Sequence, residues 1–179
     1  MNGKIHGLNS SGPAPTSLTI DAVKSLGHEK MPVHGLVPVT VPGVPAAWAA
    51  LSKKFGRLPL TEVLAPAIRY AEEGYPISPI AGHFWKLSYN RFKETFKEVY
   101  YKEWFNVFSL NDRAPEVGEI WRSPGHAKTL RAIAKTNAED FYRGETAQKI
   151  DAFMKEHGGF LSADDLASYK PEWVEPVSV

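Results

Sequence analysis

The residues able to do chemistry in this chain are few, and most of them are badly spaced for it. Six histidines, His6, His28, His34, His83, His126 and His157, are scattered, and no pair has the H-E-x-x-H spacing that puts two imidazoles on one helical face. His28 and His34 flank Met31-Pro32 in a loop, but a two-histidine metal site needs a set of carboxylate partners that the sequence does not identify. The carboxylate pairs Glu72-Glu73, Glu139-Asp140 and Asp164-Asp165 are adjacent, so on a helix they point in different directions and make poor acid/base couples. Helix N-terminal charge accounts for Asp164 and Asp165 at ~0.3–1 kcal/mol each. There is no cysteine, hence no thiolate nucleophile and no disulfide. The sequence holds no G-x-S-x-G elbow, no Walker loop and no G-x-G-x-x-G, so no cofactor and no metal are expected. What remains is a polar loop at residues 7–13, containing Asn9, Ser10 and Ser11 between glycines. Its small side chains and backbone N–H groups suit the wall of a pocket.

The composition narrows the partners. Lys plus Arg is 21 and Asp plus Glu is 20, a net charge of +1 that sets up no long-range field for nucleic acid or an anionic membrane. Neither is expected as a partner. At 179 residues and 43% hydrophobic, the chain suits one full-sized domain. Its first dozen residues carry no apolar run, so neither a signal peptide nor a membrane anchor is expected there, and a soluble chain with the cytoplasm favoured follows.

The elements that must position the loop are helical. Residues 1–41 read as an extended, loop-rich arm, with a helix over 16–26 stopped by Gly27 and a short strand or edge at Val37, Val39 and Val41. Residues 42–170 read as a helical body. Pro45 suits a first helical position, and Val44, Trp48, Leu51 and Phe55 share one face before Gly56. Residues 61–73 carry Leu64, Ile68 and Ala71 on one face, with Pro66 either kinking the segment or marking its true start. A longer helix is predicted over 80–101, its stripe of Phe84, Leu87, Phe92, Phe96, Val99 and Tyr100 serving as core or subunit contact. From 104 to 122 the pattern is irregular, with turns at Asn111-Asp112 and Gly118-Glu119. Ser123-Pro124 opens a helix that buries Ala127, Leu130, Ile133 and Ala134, which residues 140–144 break. The next helix buries Ala147, Ile150, Phe153 and Met154 and ends at Gly158-Gly159. Ser162 and Asp165 form a capping box for a short helix ending near Tyr169. Residues 171–179 start a strand, alternating from Val174, whose partners would lie beyond the chain.

Three stretches together resemble the large subunit of the gamma-glutamyltranspeptidase family. They are Val41-Pro42-Gly43-Val44-Pro45-Ala46-Ala47-Trp48; Phe55-Gly56-Arg57-Leu58-Pro59-Leu60 running into Leu64-Ala65-Pro66-Ala67-Ile68 and Ala71-Glu72-Glu73-Gly74; and Phe141-Tyr142-Arg143-Gly144 with Gly158-Gly159-Phe160-Leu161 and Asp164-Asp165-Leu166. Their order and spacing match as well. The resemblance implies a segment of an N-terminal-nucleophile αββα fold, here mainly α with a few short strands and lacking much of the sheet. It implies an enzyme in which a precursor cuts itself to expose a threonine whose own α-amine acts as base. None of Thr16, Thr19, Thr40, Thr61, Thr95, Thr129, Thr136 and Thr146 sits in that nucleophile motif. The family's large subunit also lends an arginine, just before the Ala-Pro that here is Ala14-Pro15, to clamp the glutamyl α-carboxylate. Ser11, or alternatively Ser10, stands at that place, so these two serines are the substrate-binding candidates implied by the resemblance, and a cephalosporin-acylase-like preference for another acyl group follows.

The expectation is therefore a large-subunit segment, inactive alone, whose partners are the remainder of the large subunit, the small subunit and a γ-glutamyl or other acyl small molecule. Self-association of the exposed faces is a further expectation. The competing reading is a stand-alone helical interaction or dimerisation module. Exposure of several among Trp48, Trp85, Trp104, Trp121 and Trp173 would mark surfaces made for a partner chain.

Overall fold

Proline and glycine set where most helices of this chain begin and end. The computed structural model describes residues 3–177, and the chain divides into two units, Met1–Val63 with Ala132–Val179, and Leu64–Arg131.

The first unit opens with strand β1 (Gly7–Asn9) and a short helix α1 (Ile20–Ser25), capped by the Thr19 side chain on the Ala22 N–H and followed by Gly27 at φ +82°. The strand expected at residues 37–41 does not form. Val41 is buried, and its N–H donates to Pro13 O at 3.0 Å, so an irregular segment lies against the loop and no neighbouring strand is there to pair with it. Helix α2 (Val44–Phe55) has Pro45 in its first turn and is followed by α3 (Leu60–Val63). The apolar face of α2 is largely open: Val44, Trp48 and Leu51 are 55%, 37% and 43% exposed, while Pro45 is buried.

The second unit starts with α4 (Ala65–Glu73), so Pro66 marks a helix start instead of a kink. Gly74 then turns the chain with φ +92° into β2 (Tyr75–Pro76). Helix α5 (Pro79–Thr95), capped by Ser78, stops at Phe96, short of the predicted 101; a 3₁₀ turn (Val99–Tyr101) and helix α6 (Lys102–Phe108) follow. The buried side of α5 is Gly82 and Tyr89, with half-buried Trp85 and Phe92 between and after them, while Phe84 and Leu87 from the predicted stripe face solvent. The reason is polar as well as apolar. Trp85 Nε1 donates to Phe108 O at 2.8 Å and the Tyr89 hydroxyl donates to Asp112 O at 2.5 Å, so these rings can enter the core with their donors satisfied. Trp85 and Phe108 also meet Trp121, at centroid distances of 5.2 and 5.9 Å. That packing makes a helix of residues whose local propensity is modest, which is why residues 104–108 read as irregular. Strand β3 (Ile120–Trp121) pairs antiparallel with β2, Tyr75 opposite Trp121. The predicted turns hold: Asn111 and Asp112 have positive φ, as does Gly118.

Helix α7 (Pro124–Thr136) carries the chain back to the first unit, and Ala127, Ile133 and Ala134 are buried as expected. Residues 140–144 do not break the helical run into loop; Ala138 turns left-handed and α8 (Glu139–Arg143) follows. Helix α9 (Glu145–His157) ends on Gly158 at φ +74°, and α10 (Ala163–Ser168) carries the Ser162–Asp165 capping box. The core of this unit is Val41, Ala138, Tyr142, Ala147, Met154, Leu161 and Leu166. Strand β4 (Glu172–Val174) pairs antiparallel with β1, Gly7 opposite Val174 and Asn9 opposite Glu172. The strand predicted from Val174 therefore lies earlier and has a partner within the chain; Ser178 and Val179 lie outside the described residues. The architecture is mainly helical with four short strands in two separate ribbons, and no αββα sandwich forms among the described residues. No described helix is long and apolar enough to cross a membrane.

Candidate functional site

Ser10 and Ser11 follow directly on the end of β1, and the structure gives them different tasks. The Ser10 hydroxyl donates to Gly43 O at 2.8 Å and lies 2.9 Å from the Tyr169 hydroxyl. A serine has one proton to give and a carbonyl can only accept, so Tyr169 is the donor to Ser10. Ser10 is thus fully engaged. Ser11 is exposed, its N–H donates to Asn9 Oδ1 at 3.0 Å, and its hydroxyl makes no hydrogen bond among the described residues.

The loop is held from both sides by close backbone approach. A Cβ on Gly43 would lie 1.8 Å from Ser10 O and 2.6 Å from the Tyr169 hydroxyl, and one on Gly12 would lie 1.6 Å from Val41 O. Only glycine fits at these two positions. Tyr142 supports the same segment: its hydroxyl donates to Pro42 O at 2.6 Å and accepts the Ala46 N–H at 3.2 Å, and its ring sits 5.5 Å from that of Tyr169. Burial pushes the Tyr142 hydroxyl up to about 12, with the Ala46 N–H opposing and Tyr169 adding to the rise.

After the loop, Thr16 fixes the chain to a distant carboxylate. Its N–H and its hydroxyl both donate to Asp165 Oδ1, at 2.9 and 2.8 Å, while Asp165 Oδ2 accepts the Ser162 N–H at 3.0 Å and the Ser162 hydroxyl at 2.6 Å. Burial alone would raise the Asp165 carboxyl, but the hydrogen bonds from Ser162 and Thr16 outweigh it and hold the group below its ordinary value. Both oxygens are thereby satisfied, and the carboxylate is a structural anchor.

Of the two candidate serines, Ser10 is held by hydrogen bonds and the Ser11 hydroxyl has no partner among the described residues. No imidazole or amine is bonded to either serine, so neither has a base to activate it. No group of three His, Asp or Glu residues that could hold a metal ion occurs among the described residues. Spacing and residue type do not single out the supports Gly12, Gly43, Tyr142 and Tyr169, because each acts through a partner 27 or more residues away in the sequence; Gly43 and Tyr142 stand in the stretches that resemble the family, and the capping box at Ser162 and Asp165 leaves a local signal.

The sequence profile of the gamma-glutamyltranspeptidase family matches residues 1–179. The chain belongs to this family. As a gamma-glutamyltranspeptidase-family chain it is 57% identical to the cephalosporin acylase of Bacillus halodurans, whose crystal structure matches with a TM-score of 0.98 over 100% of this chain and 34% of that one. The gamma-glutamyltranspeptidase of Helicobacter pylori matches with a TM-score of 0.86 at 32% identity, over 98% of this chain and 50% of that one. Among curated proteins, the glutathione hydrolase-like YwrD proenzyme of Bacillus subtilis is 31% identical over 95% of this chain and 31% of its own length. The chain thus spans between 31% and 50% of the length of these relatives, and the resemblance of its motifs stands as a family membership.

Proposed function

We propose that the chain is a large-subunit segment of a gamma-glutamyltranspeptidase-like enzyme of the acylase branch, contributing a substrate-facing wall and not the nucleophile. The observation that carries this reading is the 57% identity to a cephalosporin acylase along the whole chain. The serines agree with it, because Ser11 offers only a hydroxyl where a bidentate guanidinium would grip an α-carboxylate. In the complete parent, the loop at residues 7–13 faces the acyl group, and Ser11 admits an acyl chain that carries no α-carboxylate.

The threonines support the absence of a nucleophile. Thr16 bonds Asp165, Thr19 caps α1, Thr95, Thr129 and Thr136 each donate to a carbonyl one helical turn back, and Thr146 donates to Asp140. None has an α-amine free to serve as its base. The partners follow from what is uncovered. Val44, Trp48 and Leu51 form an exposed stripe on α2, Trp173 is 39% exposed, and the β1–β4 ribbon has an open edge on each strand. These are the surfaces on which we place the remainder of the large subunit and the small subunit, with further strands completing an αββα sandwich. Left uncovered, they favour self-association.

The pure 179-residue chain is expected to show no hydrolysis of a γ-glutamyl anilide or of a neutral acyl anilide, and no self-cleavage. Turnover that disappears when any one of its threonines is replaced contradicts the proposal.

A further inference from the structure

A cleft of about 1100 Å³ in the first unit has Tyr142 and Tyr169 among its lining residues, and its rim is basic. Lys53, Lys135, Arg143 and Lys170 all line it, and Glu139 is the one carboxylate among its lining residues. Glu139 already pairs with Arg143 at 3.0 Å, four residues apart on α8, and Arg143 also donates to Ala167 O at 2.6 Å. Lys53, Lys135 and Lys170 are exposed, and no carboxylate of the described residues lies within ion-pair distance of them. Lys53 and Lys135 sit in the last turns of α2 and α7, where each helix end contributes about half a negative charge. Even with both helix ends and Glu139 counted, roughly two positive charges remain over the cleft.

The floor between these cations is apolar, made by Ala46, Ala49, Ala50 and Leu58. An extended chain with aliphatic stems ending in carboxylates fits such a surface: stems on the alanine floor, charges on the rim. Single-stranded nucleic acid fits less well, since it needs exposed rings for its bases, and the two tyrosines of this cleft are buried with 3% and 8% of their surface accessible. We propose that the cleft edged by Lys53, Lys135 and Lys170 binds an acidic peptide segment through its carboxylates.

Fluorescence anisotropy of labelled octaglutamate against the 179-residue chain tests this, at 20 and 200 mM salt. Substituting K53A, K135A and K170A together should weaken binding at low salt tenfold or more, and raising the salt should weaken it for the unaltered chain by a similar factor. Replacing three exposed lysines elsewhere, K24A, K86A and K102A, should change it less than twofold. Lys170 lies outside any helix, so K170E alone, which removes no helix-end charge, should weaken binding at least threefold with the circular dichroism unchanged. A loss below tenfold in the cleft variant, an equal loss in the control variant, or tighter binding of octathymidylate than of octaglutamate would overturn the proposal.

Discussion

Thr16 and Asp165 are 149 residues apart, and both the amide and the hydroxyl of Thr16 donate to the same oxygen of Asp165. This pairing ties the candidate loop to helix α10, and the same carboxylate closes that helix's capping box. Asp165→Ala should therefore cost roughly 2–4 kcal/mol in urea unfolding, combining a lost cap with part-buried donors left unpaired. Thr16→Val, which keeps the amide bond, should cost about 1 kcal/mol. Equal costs for the two would show that the carboxylate does not join the loop to the cap.

The close approach of the 10–13 and 41–43 segments makes a second expectation. Gly43→Ala and Gly12→Ala each place a methyl within 2 Å of a backbone oxygen, so each should lose about 1–3 kcal/mol of stability as the loop is pushed off its support. Gly125→Ala in the first turn of α7 meets nothing within 4 Å and should gain up to about 1 kcal/mol. Thermal unfolding of the three variants distinguishes a clash from a general effect of adding a methyl.

Burial of Tyr142 sets an alkaline limit. Its folded value of about 12 lies above the ordinary 10, so the folded state holds this proton more tightly. The associated stabilisation is complete below pH 10 and is lost as pH rises through 12. Tyr142→Phe should flatten the stability profile over that window, while costing roughly 1–3 kcal/mol at neutral pH because Pro42 O and the Ala46 N–H lose their partner. Urea midpoints at pH 8, 10 and 11.5 report both effects.

The second unit carries an acid-sensitive pair. Arg113 grips Glu119 with two bonds of 2.8 and 2.6 Å, and these, with the Glu116 N–H, hold the Glu119 carboxyl at about 2 against an ordinary 4.5. A depressed carboxyl stabilises the fold above its ordinary value and loses that contribution as pH falls from 4.5 through 2. Glu119→Gln should remove this part of the acid transition. Trp85, Trp104 and Trp121 fluorescence, followed from pH 5 to pH 2, should show a shallower change in the variant than in the unaltered chain.

Much of the fold was legible because its signals are local. Pro45 and Pro66 near helix starts, Gly158 at a helix end and the Ser162–Asp165 box all act within a turn of themselves, and each element formed where its punctuation stood. Which face of a helix is buried was less legible. On α5 the periodicity pointed to Phe84 and Leu87, but Trp85 and Tyr89 went inward because Phe108 O and Asp112 O were there to accept their protons. On α2 the apolar stripe faces out, and the small residues beside it line the basic cleft instead. At the candidate loop the family resemblance pointed to Ser10 and Ser11 as alternatives, and it could not tell their hydrogen bonding apart, because that depends on Gly43 O and on Tyr169, 159 residues from Ser10.

That difference in hydrogen bonding makes the two serines unequal targets. Ser10→Arg should destabilise the loop, since it removes the hydroxyl shared by Gly43 and Tyr169, whereas Ser11→Arg adds a side chain at an exposed position and should leave stability within about 0.5 kcal/mol. The most direct test of the proposed function is the ratio of kcat/KM for a γ-glutamyl anilide to that for a neutral acyl anilide, measured in the complete parent enzyme with and without Ser11→Arg. A bidentate grip on a carboxylate is worth about 1.5–3 kcal/mol, so the arginine should raise the ratio roughly ten- to hundred-fold in favour of the γ-glutamyl substrate. An unchanged ratio in a stably folded Ser11→Arg enzyme contradicts the placement of this loop at the acyl pocket.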